Sequence, residues 1–265
     1  MSPYSDNRVE DIMHIIIPSH LRAENQITLK SIPKSLLDKT TIVVRRNQRY
    51  DYKKNIKTCK VVSIPNEINF ISGKRQWILE NFKPHVCMLD DDMNFFKRNE
   101  NGKLRNASEN DMVDVFNLLE KWLNEGLIHV GVSSRFGNNR IAEDFFENCR
   151  MSNFYAFNSQ KICELGVRFD RLPVMEDFDL TLQLLEKGYK NRVTYQYAWG
   201  QAKSGMKGGC SEYRDFLMQR KTAMKLALLH PGIVKPVFKE SKTDWENIGT
   251  GRVDVKVSWK RAYKR

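Results

Sequence analysis

An α/β fold, a mostly parallel sheet with flanking helices, is predicted by two observations. Short apolar runs rich in β-branched residues alternate along the chain with segments of helical or turn character. The 265 residues are 41% hydrophobic, enough to bury a full core. No repeat or low-complexity linker divides them, so we expect one domain: a core over 1–200 and a basic C-terminal extension of that same domain over 201–265.

Residues 13–18, 41–44, 61–64 and 86–89 read as strands, because runs such as Ile15-Ile16-Ile17 and Val43-Val44 suit strands covered on both faces. Between the last two, 72–82 fits a helix with Trp77, Ile78 and Leu79 inward and with Lys74 and Arg75 in its first turn. Ser108 and Asp111 have the spacing of an N-cap pair for a long amphipathic helix through Leu118, Leu119 and Trp122, which Gly126 closes. Strands follow at 129–133 and 154–158, then a helix over 176–187 stopped by Gly188, and a strand over 192–197. A glycine-rich loop over 200–209 could cover a ligand, since glycine lets backbone approach closely, or simply connect at the surface. A final helix over 211–230 carries Phe216, Leu217, Met224, Leu226 and Leu228, and Pro231-Gly232 ends it.

Charge and cysteines narrow the class. The formal net charge is +12, and residues 201–265 hold 15 Lys and Arg against 6 acids, a local excess of +9. Such a concentration predicts a polyanionic partner, nucleic acid first, through counterion release, although a merely solvated face gives the same composition. The five cysteines lack CxxC spacing, which argues against zinc and for reduced thiols. No apolar run approaches the ~20 residues of a membrane helix, and the N-terminus lacks a leader pattern. We expect a cytoplasmic protein with no membrane partner.

The chemistry concentrates in two acidic clusters. Asp90-Asp91-Asp92 follows the apolar strand ending at Leu89, and three adjacent carboxylates repel one another unless a cation neutralises them. Asp90 and Asp92 are the pair whose side chains could share that cation, with Asp91 turned away. Alone, the run reads better as a surface acidic turn than as a metal site. Glu176-Asp177-Phe178-Asp179 opens an apolar-faced helix, where acids complement the helix dipole for roughly 0.3–1 kcal/mol each. We assign that modest role to Asp179; for Asp177 a general base is the alternative reading.

Taken in order, these pieces resemble a glycosyltransferase of the GT-A type, with its Rossmann-like sheet. More closely they resemble the TET-associated glycosyltransferases of tailed bacteriophages, which modify hydroxymethylcytosine in DNA. The resemblance rests on Ile17-Pro18-Ser19-His20-Leu21-Arg22, Gly73-Lys74-Arg75-Gln76-Trp77, Leu89-Asp90-Asp91-Asp92, Glu176-Asp177-Phe178-Asp179-Leu180 and Gly208-Gly209-Cys210-Ser211. It implies a UDP-sugar donor, with Pro18, Ser19 and Arg22 beside the nucleotide and Lys74 and Arg75 near its phosphates or ribose. It implies Mn2+ or Mg2+ on Asp90 and Asp92, and Asp91 facing the donor. Asp177 would deprotonate the acceptor hydroxyl with inversion, supported by Glu176, and the acceptor would be DNA containing 5-hydroxymethylcytosine. Many inverting members add a C-terminal metal-binding histidine; here only His230 is available, and its place at a helix end favours a structural or exposed role over ligation.

Three other readings stay open at this level. The acceptor could be a glycan, a lipid-linked sugar or a protein. A sugar nucleotidyltransferase shares the carboxylates, but Ile17-Pro18-Ser19-His20 lacks its glycine-rich signature. The chain could also be a non-enzymatic basic nucleic-acid-binding protein whose acids are only caps. On the DNA reading, Tyr213, Phe216, Trp245, Trp259 and Tyr263, interleaved with the basic residues, could stack on or wedge between bases, with Phe216 the one better suited to the core.

Overall fold

The computed structural model describes residues 13–201, 208–239 and 252–263. In chain order the first half holds β1 (His14–Pro18), α1 (Ile27–Lys30), β2 (Thr40–Arg45), α2 (Arg49–Asn55), β3 (Lys60–Ile64), α3 (Ile71–Asn81), β4 (His85–Leu89), β5 (Met93–Arg98), β6 (Leu104–Asn106) and α4 (Glu109–Asn124). The second half holds β7 (His129–Ser134), β8 (Phe145–Glu147), β9 (Phe154–Asn158), α5 (Ser159–Glu164), α6 (Glu176–Glu186), β10 (Arg192–Gln201), α7 (Phe216–Leu229), β11 (Val234–Lys239), β12 (Arg252–Val257) and α8 (Trp259–Ala262).

Ten strands form one sheet in the order β3-β2-β1-β4-β9-β7-β10-β5-β6, with β8 also paired to β10. Strands β1 to β4, β7 and β10 run in one direction, and β9 is inserted antiparallel between β4 and β7. Chain order reverses between β1 and β4. In an open α/β sheet the crevice outside the strand ends at such a switch point is where ligands bind.

Strand periodicity builds the two core layers. Ile15 and Ile17 of β1 join one apolar cluster with Val44, Leu89 and the α4 residues Val115, Phe116 and Leu119. Ile16 points to the other face, packing with Ile78 and Leu79 of α3 and Leu180 and Leu184 of α6. All three isoleucines are buried, each contributing about 1.5–3 kcal/mol of apolar transfer. The N-cap pair forms as expected: the Ser108 hydroxyl accepts the Asp111 N–H, and the Asp111 carboxylate accepts the Ser108 N–H at 2.7 Å.

A third apolar cluster joins α7, β11, β12 and α8 to α6, through Leu182, Leu185, Leu226, Val234, Val253 and Ala262. Strands β11 and β12 pair antiparallel as a separate sheet. The described part of the basic segment is therefore docked against the helix that carries Glu176 and Asp177.

Several elements differ from the sequence expectation. Helix α7 begins at Phe216, not 211; the Asp215 carboxylate caps it by accepting the Met218 N–H at 2.6 Å, and a short 3-10 turn occupies Gly209–Glu212. Its buried face is Gln219, Thr222, Ala223 and Leu226, leaving Leu217, Met224 and Leu228 exposed, because the docking surface is narrower than the apolar pattern suggested. Trp77 is only half-buried. Strand β10 continues through Gly200 to Gln201, which the sequence pattern places in the glycine-rich loop; residues 202–207, like Trp245, Lys264 and Arg265, lie outside the described residues. Strands β5, β6 and β8 were not foreseen, since the short pairs lack a long apolar run.

Candidate active site

Strands β1 and β4 lie side by side in parallel, so Ser19 and Asp90 leave the sheet at the same edge. A cavity of about 490 Å³ opens there. Pro18, Ser19, Arg22, Lys74, Arg75, Asp90, Asp91, Asp92, Glu176 and Asp177, drawn from separate stretches of chain, all line it.

One wall is a closed polar network. Asp91 is buried and accepts hydrogen bonds from the Ser19 hydroxyl and from Arg22. Because Ser19 gives its proton to Asp91, the Tyr52 hydroxyl 2.7 Å away must donate to Ser19 Oγ while accepting the Arg22 N–H at 2.9 Å. Gln26 Nε2 donates to the same Ser19 oxygen at 2.8 Å. Burial pushes the Asp91 carboxyl above the usual range, and Arg22 and Ser19 oppose that push. Lys74 is buried too, donating to the Ser19 carbonyl, and burial lowers its ammonium to about 8 against the pull of Asp91. His20 is lowered to about 4 by burial and by the Lys74 and Arg45 charges. Gly208 and Gly209 close over Arg22: a Cβ on Gly208 would meet Arg22 Cγ and the His20 carbonyl at 2.8 Å, and both glycines have left-handed φ.

The three aspartates divide between different protein partners. Asp91 and Asp92 share Arg22, with Asp92 Oδ2 at 3.0 Å, whereas Asp90 accepts from Arg75 and, at 2.6 Å, from Asn153 Nδ2. The reason lies in their supports. Thr28 of α1 bonds through its hydroxyl to the Asp90 carbonyl and the Met93 N–H, pinning the turn so that successive side chains diverge. Arg75 also pairs with Glu176, which is buried, and burial pushes that carboxyl up to about 7 against the Arg75 charge.

Asp177 is half-buried in the first turn of α6 and lines the cavity. Its carboxylate has no hydrogen-bond or ion-pair partner among the described residues. The residue before Glu176, Met175, holds a left-handed φ of 59°, and Asn153 one of 62°. Such backbone is costly for residues bearing a Cβ, and both residues line the cavity. Asp179, expected as a dipole-complementing acid, is instead fully buried and bonded to Arg171 at 3.0 Å and His230 Nε2 at 2.8 Å. His230 is buried and also reaches Glu186 at 2.9 Å, so it braces α6 against the end of α7 as the sequence suggested.

A divalent cation fits this carboxylate turn. Asp92 Oδ1 is buried without a partner, and burial together with the Asp90 charge pushes the group up to about 6. Among the described residues no three His, Cys, Asp or Glu side chains converge as a complete cage. Mg2+ commonly takes one or two carboxylates with substrate phosphates completing the shell, which suits Asp92 with Asp90 nearby.

Asn153, Arg150, Arg45, Phe70 and Tyr213 also line the cavity. Sequence reading missed the first four. Only Asn153 carries a signal, a turn-forming residue directly before a strand. Tyr213, read as a stacking candidate, packs edge-on against Phe70 at 5.3 Å and accepts the Ile71 N–H at 3.0 Å.

The sheet, whose first four strands run 3-2-1-4, belongs to a fold of the GT-A glycosyltransferase class, and solved structures share that fold with this chain. One is glucosyl-3-phosphoglycerate synthase from Mycobacterium tuberculosis, in complex with Mn2+, UDP and phosphoglyceric acid (TM-score 0.52, 12% identity, 95% of this chain and 91% of that one). Another is GalNAc-T7 with UDP, GalNAc and Mn2+ (TM-score 0.53, 11% identity, 82% of this chain and 48% of that one). The chain belongs to the TET-Associated Glycosyltransferase family, whose model matches residues 13–209, and it is a glycosyltransferase. It is 22% identical over 221 residues to the beta-glucosyl-HMC-alpha-glucosyl-transferases of Enterobacteria phages T6 and T2, covering 77% of this chain and 76% of each relative.

Proposed function

We propose that the chain transfers a sugar from a UDP-sugar to 5-hydroxymethylcytosine in DNA, with Asp177 as general base. The observation that carries this reading is the contrast between neighbouring acids: Glu176 is locked to Arg75, while Asp177 faces the same cavity without a partner among the described residues. A primary alcohol is a poor nucleophile at neutral pH, so a positioned carboxylate must take its proton as the new bond forms.

Ser19, Arg22 and Lys74 bind and orient the nucleotide and diphosphate, their mutual bonds fixing them beforehand. Asp177 accepts the acceptor proton at a carboxylate oxygen while the acceptor oxygen bonds to the sugar C1 and the C1–O bond to phosphate breaks, releasing UDP with inversion. Glu176 and Arg75 hold the start of α6 in place. When bound on Asp92 and Asp90, Mn2+ or Mg2+ supplies Lewis-acid compensation for the departing diphosphate.

The basic face supports DNA as the partner. Arg220, Lys221, Lys225, Lys235, Lys256, Lys260 and Arg261 are all exposed in the unit docked on α6. We assign residues 201–265 to holding acceptor DNA beside the 1–200 core. Reaching a base in duplex DNA costs a few kcal/mol of unstacking, which phosphate contacts offset. No helix among the described residues is long and apolar enough to cross a membrane.

The names of the phage relatives favour a second acceptor, a glucose already attached to hydroxymethylcytosine and extended through an α linkage. One experiment separates the two. The protein is incubated with a panel of UDP-sugars, Mn2+, and DNA bearing cytosine, hydroxymethylcytosine or β-glucosyl-hydroxymethylcytosine, and the digested nucleosides are weighed and their anomeric configuration read by NMR. We expect one added sugar on hydroxymethylcytosine and none on cytosine; addition only to the glucosylated base selects the second reading, and no addition with any donor rejects both.

A further inference from the structure

We infer that Arg150, stacked on Phe178 and backed by Trp259, is the subsite that receives the flat ring of the acceptor nucleobase. The inference rests on the DNA acceptor proposed above and goes further by saying what holds the base against Asp177. The Arg150 guanidinium carbon lies 4.4 Å from the Phe178 ring centroid, and Phe178 lies 5.5 Å from Trp259 with ring planes 38° apart. Phe178 directly follows Asp177 in α6, and Arg150, Asp177 and Phe178 line the same cavity. The subsite therefore adjoins the carboxylate that must reach the acceptor hydroxyl.

The chemistry of Arg150 distinguishes it from the other cavity cations. Arg22 is committed to Asp91 and Asp92, Arg75 to Asp90 and Glu176, and Lys74 to the Ser19 carbonyl. Arg150 is exposed, and among the described residues it makes no hydrogen bond or ion pair; its guanidinium instead lies over the face of an aromatic ring. A guanidinium held by one face offers its other face to a second planar group, and nucleobases stack on arginine planes as they do on aromatic rings. Docking to a phosphate alone would need only the charge, with no aromatic backing.

Single-turnover and steady-state transfer to a hydroxymethylcytosine oligonucleotide, with UDP affinity measured in parallel by calorimetry, test this in Arg150→Ala, Arg150→Lys and Phe178→Leu. Arg150→Ala should raise the acceptor KM roughly five- to hundredfold, the range base stacking spans, with UDP affinity unchanged. Arg150→Lys should fail to rescue, because lysine restores the charge and not the plane. Phe178→Leu, which keeps apolar bulk, should raise the same KM. Rescue by lysine, weakened UDP binding in Arg150→Ala, or an unchanged acceptor KM would each overturn the inference, the first two by pointing to a phosphate contact. Wild-type protein that transfers nothing to this oligonucleotide or to its β-glucosylated form would overturn the DNA reading and this inference together.

Discussion

The two walls of the cavity are built on opposite plans. On the donor wall, Ser19, Arg22, Lys74 and Asp91 bond to one another and to Tyr52 and Gln26, so their positions are set before any ligand arrives. On the acceptor wall, Asp177 and Arg150 line the cavity without polar partners among the described residues. A network whose members are already paired gives up little freedom when it binds and serves recognition. A carboxylate that must take a proton needs its lone pairs free. On the proposed mechanism, the difference separates groups that hold from groups that react.

Arg75 spans both walls, and its removal should have the largest effect. Arg75→Ala leaves Glu176 buried and unpaired and releases Asp90, which should destabilise the fold by about 3–5 kcal/mol in denaturant titration. Arg75→Ala combined with Glu176→Gln should recover part of that loss, and no recovery would show that the pair is not what the arginine supports.

On the donor wall alone, the pH dependence is specific. Lys74 titrates near 8 and binds anions only when protonated, so UDP affinity should be full below that pH and decline as pH rises through it, up to about tenfold per unit. Calorimetry between about pH 7 and 10 reads this, and Lys74→Met should flatten the profile. A profile unchanged in Lys74→Met would assign the titration elsewhere.

Salt sharpens the acceptor side. Neutralising Lys256, Lys260 and Arg261 together should reduce the slope of log affinity for DNA against log salt by up to ~0.9 for each phosphate no longer neutralised, leaving UDP affinity unaltered. The smallest expected effect lies away from both walls. Asp215→Ala removes the α7 cap and should cost about 1 kcal/mol in thermal unfolding, with transfer retained at ambient temperature.

Much of the donor wall was legible in the sequence because it sits at strand ends. Ile15-Ile16-Ile17 and the run ending at Leu89 announce buried strands, and the residues just beyond, Ser19 and Asp90, inherit their position from the sheet. The acceptor wall was less legible. Arg150 and Asn153 lie in an irregular stretch before β9, where no periodicity speaks, and Phe178 and Trp259 meet only because α8 docks back on α6 from about 80 residues away. Asp179 and His230 show the same limit. One resembled a surface acid and the other a helix-end histidine, and their burial against each other follows from the docking of α7, which no local pattern encodes.

The division between walls is tested most directly by Asp177→Asn, with UDP binding and single-turnover sugar transfer to hydroxymethylcytosine DNA measured on the same preparation. The account predicts transfer slowed by about 10²–10⁴-fold, the contribution of a general base, with UDP affinity within about twofold of wild type. Transfer at the wild-type rate, or a loss of UDP binding that matches the loss of transfer, would contradict it.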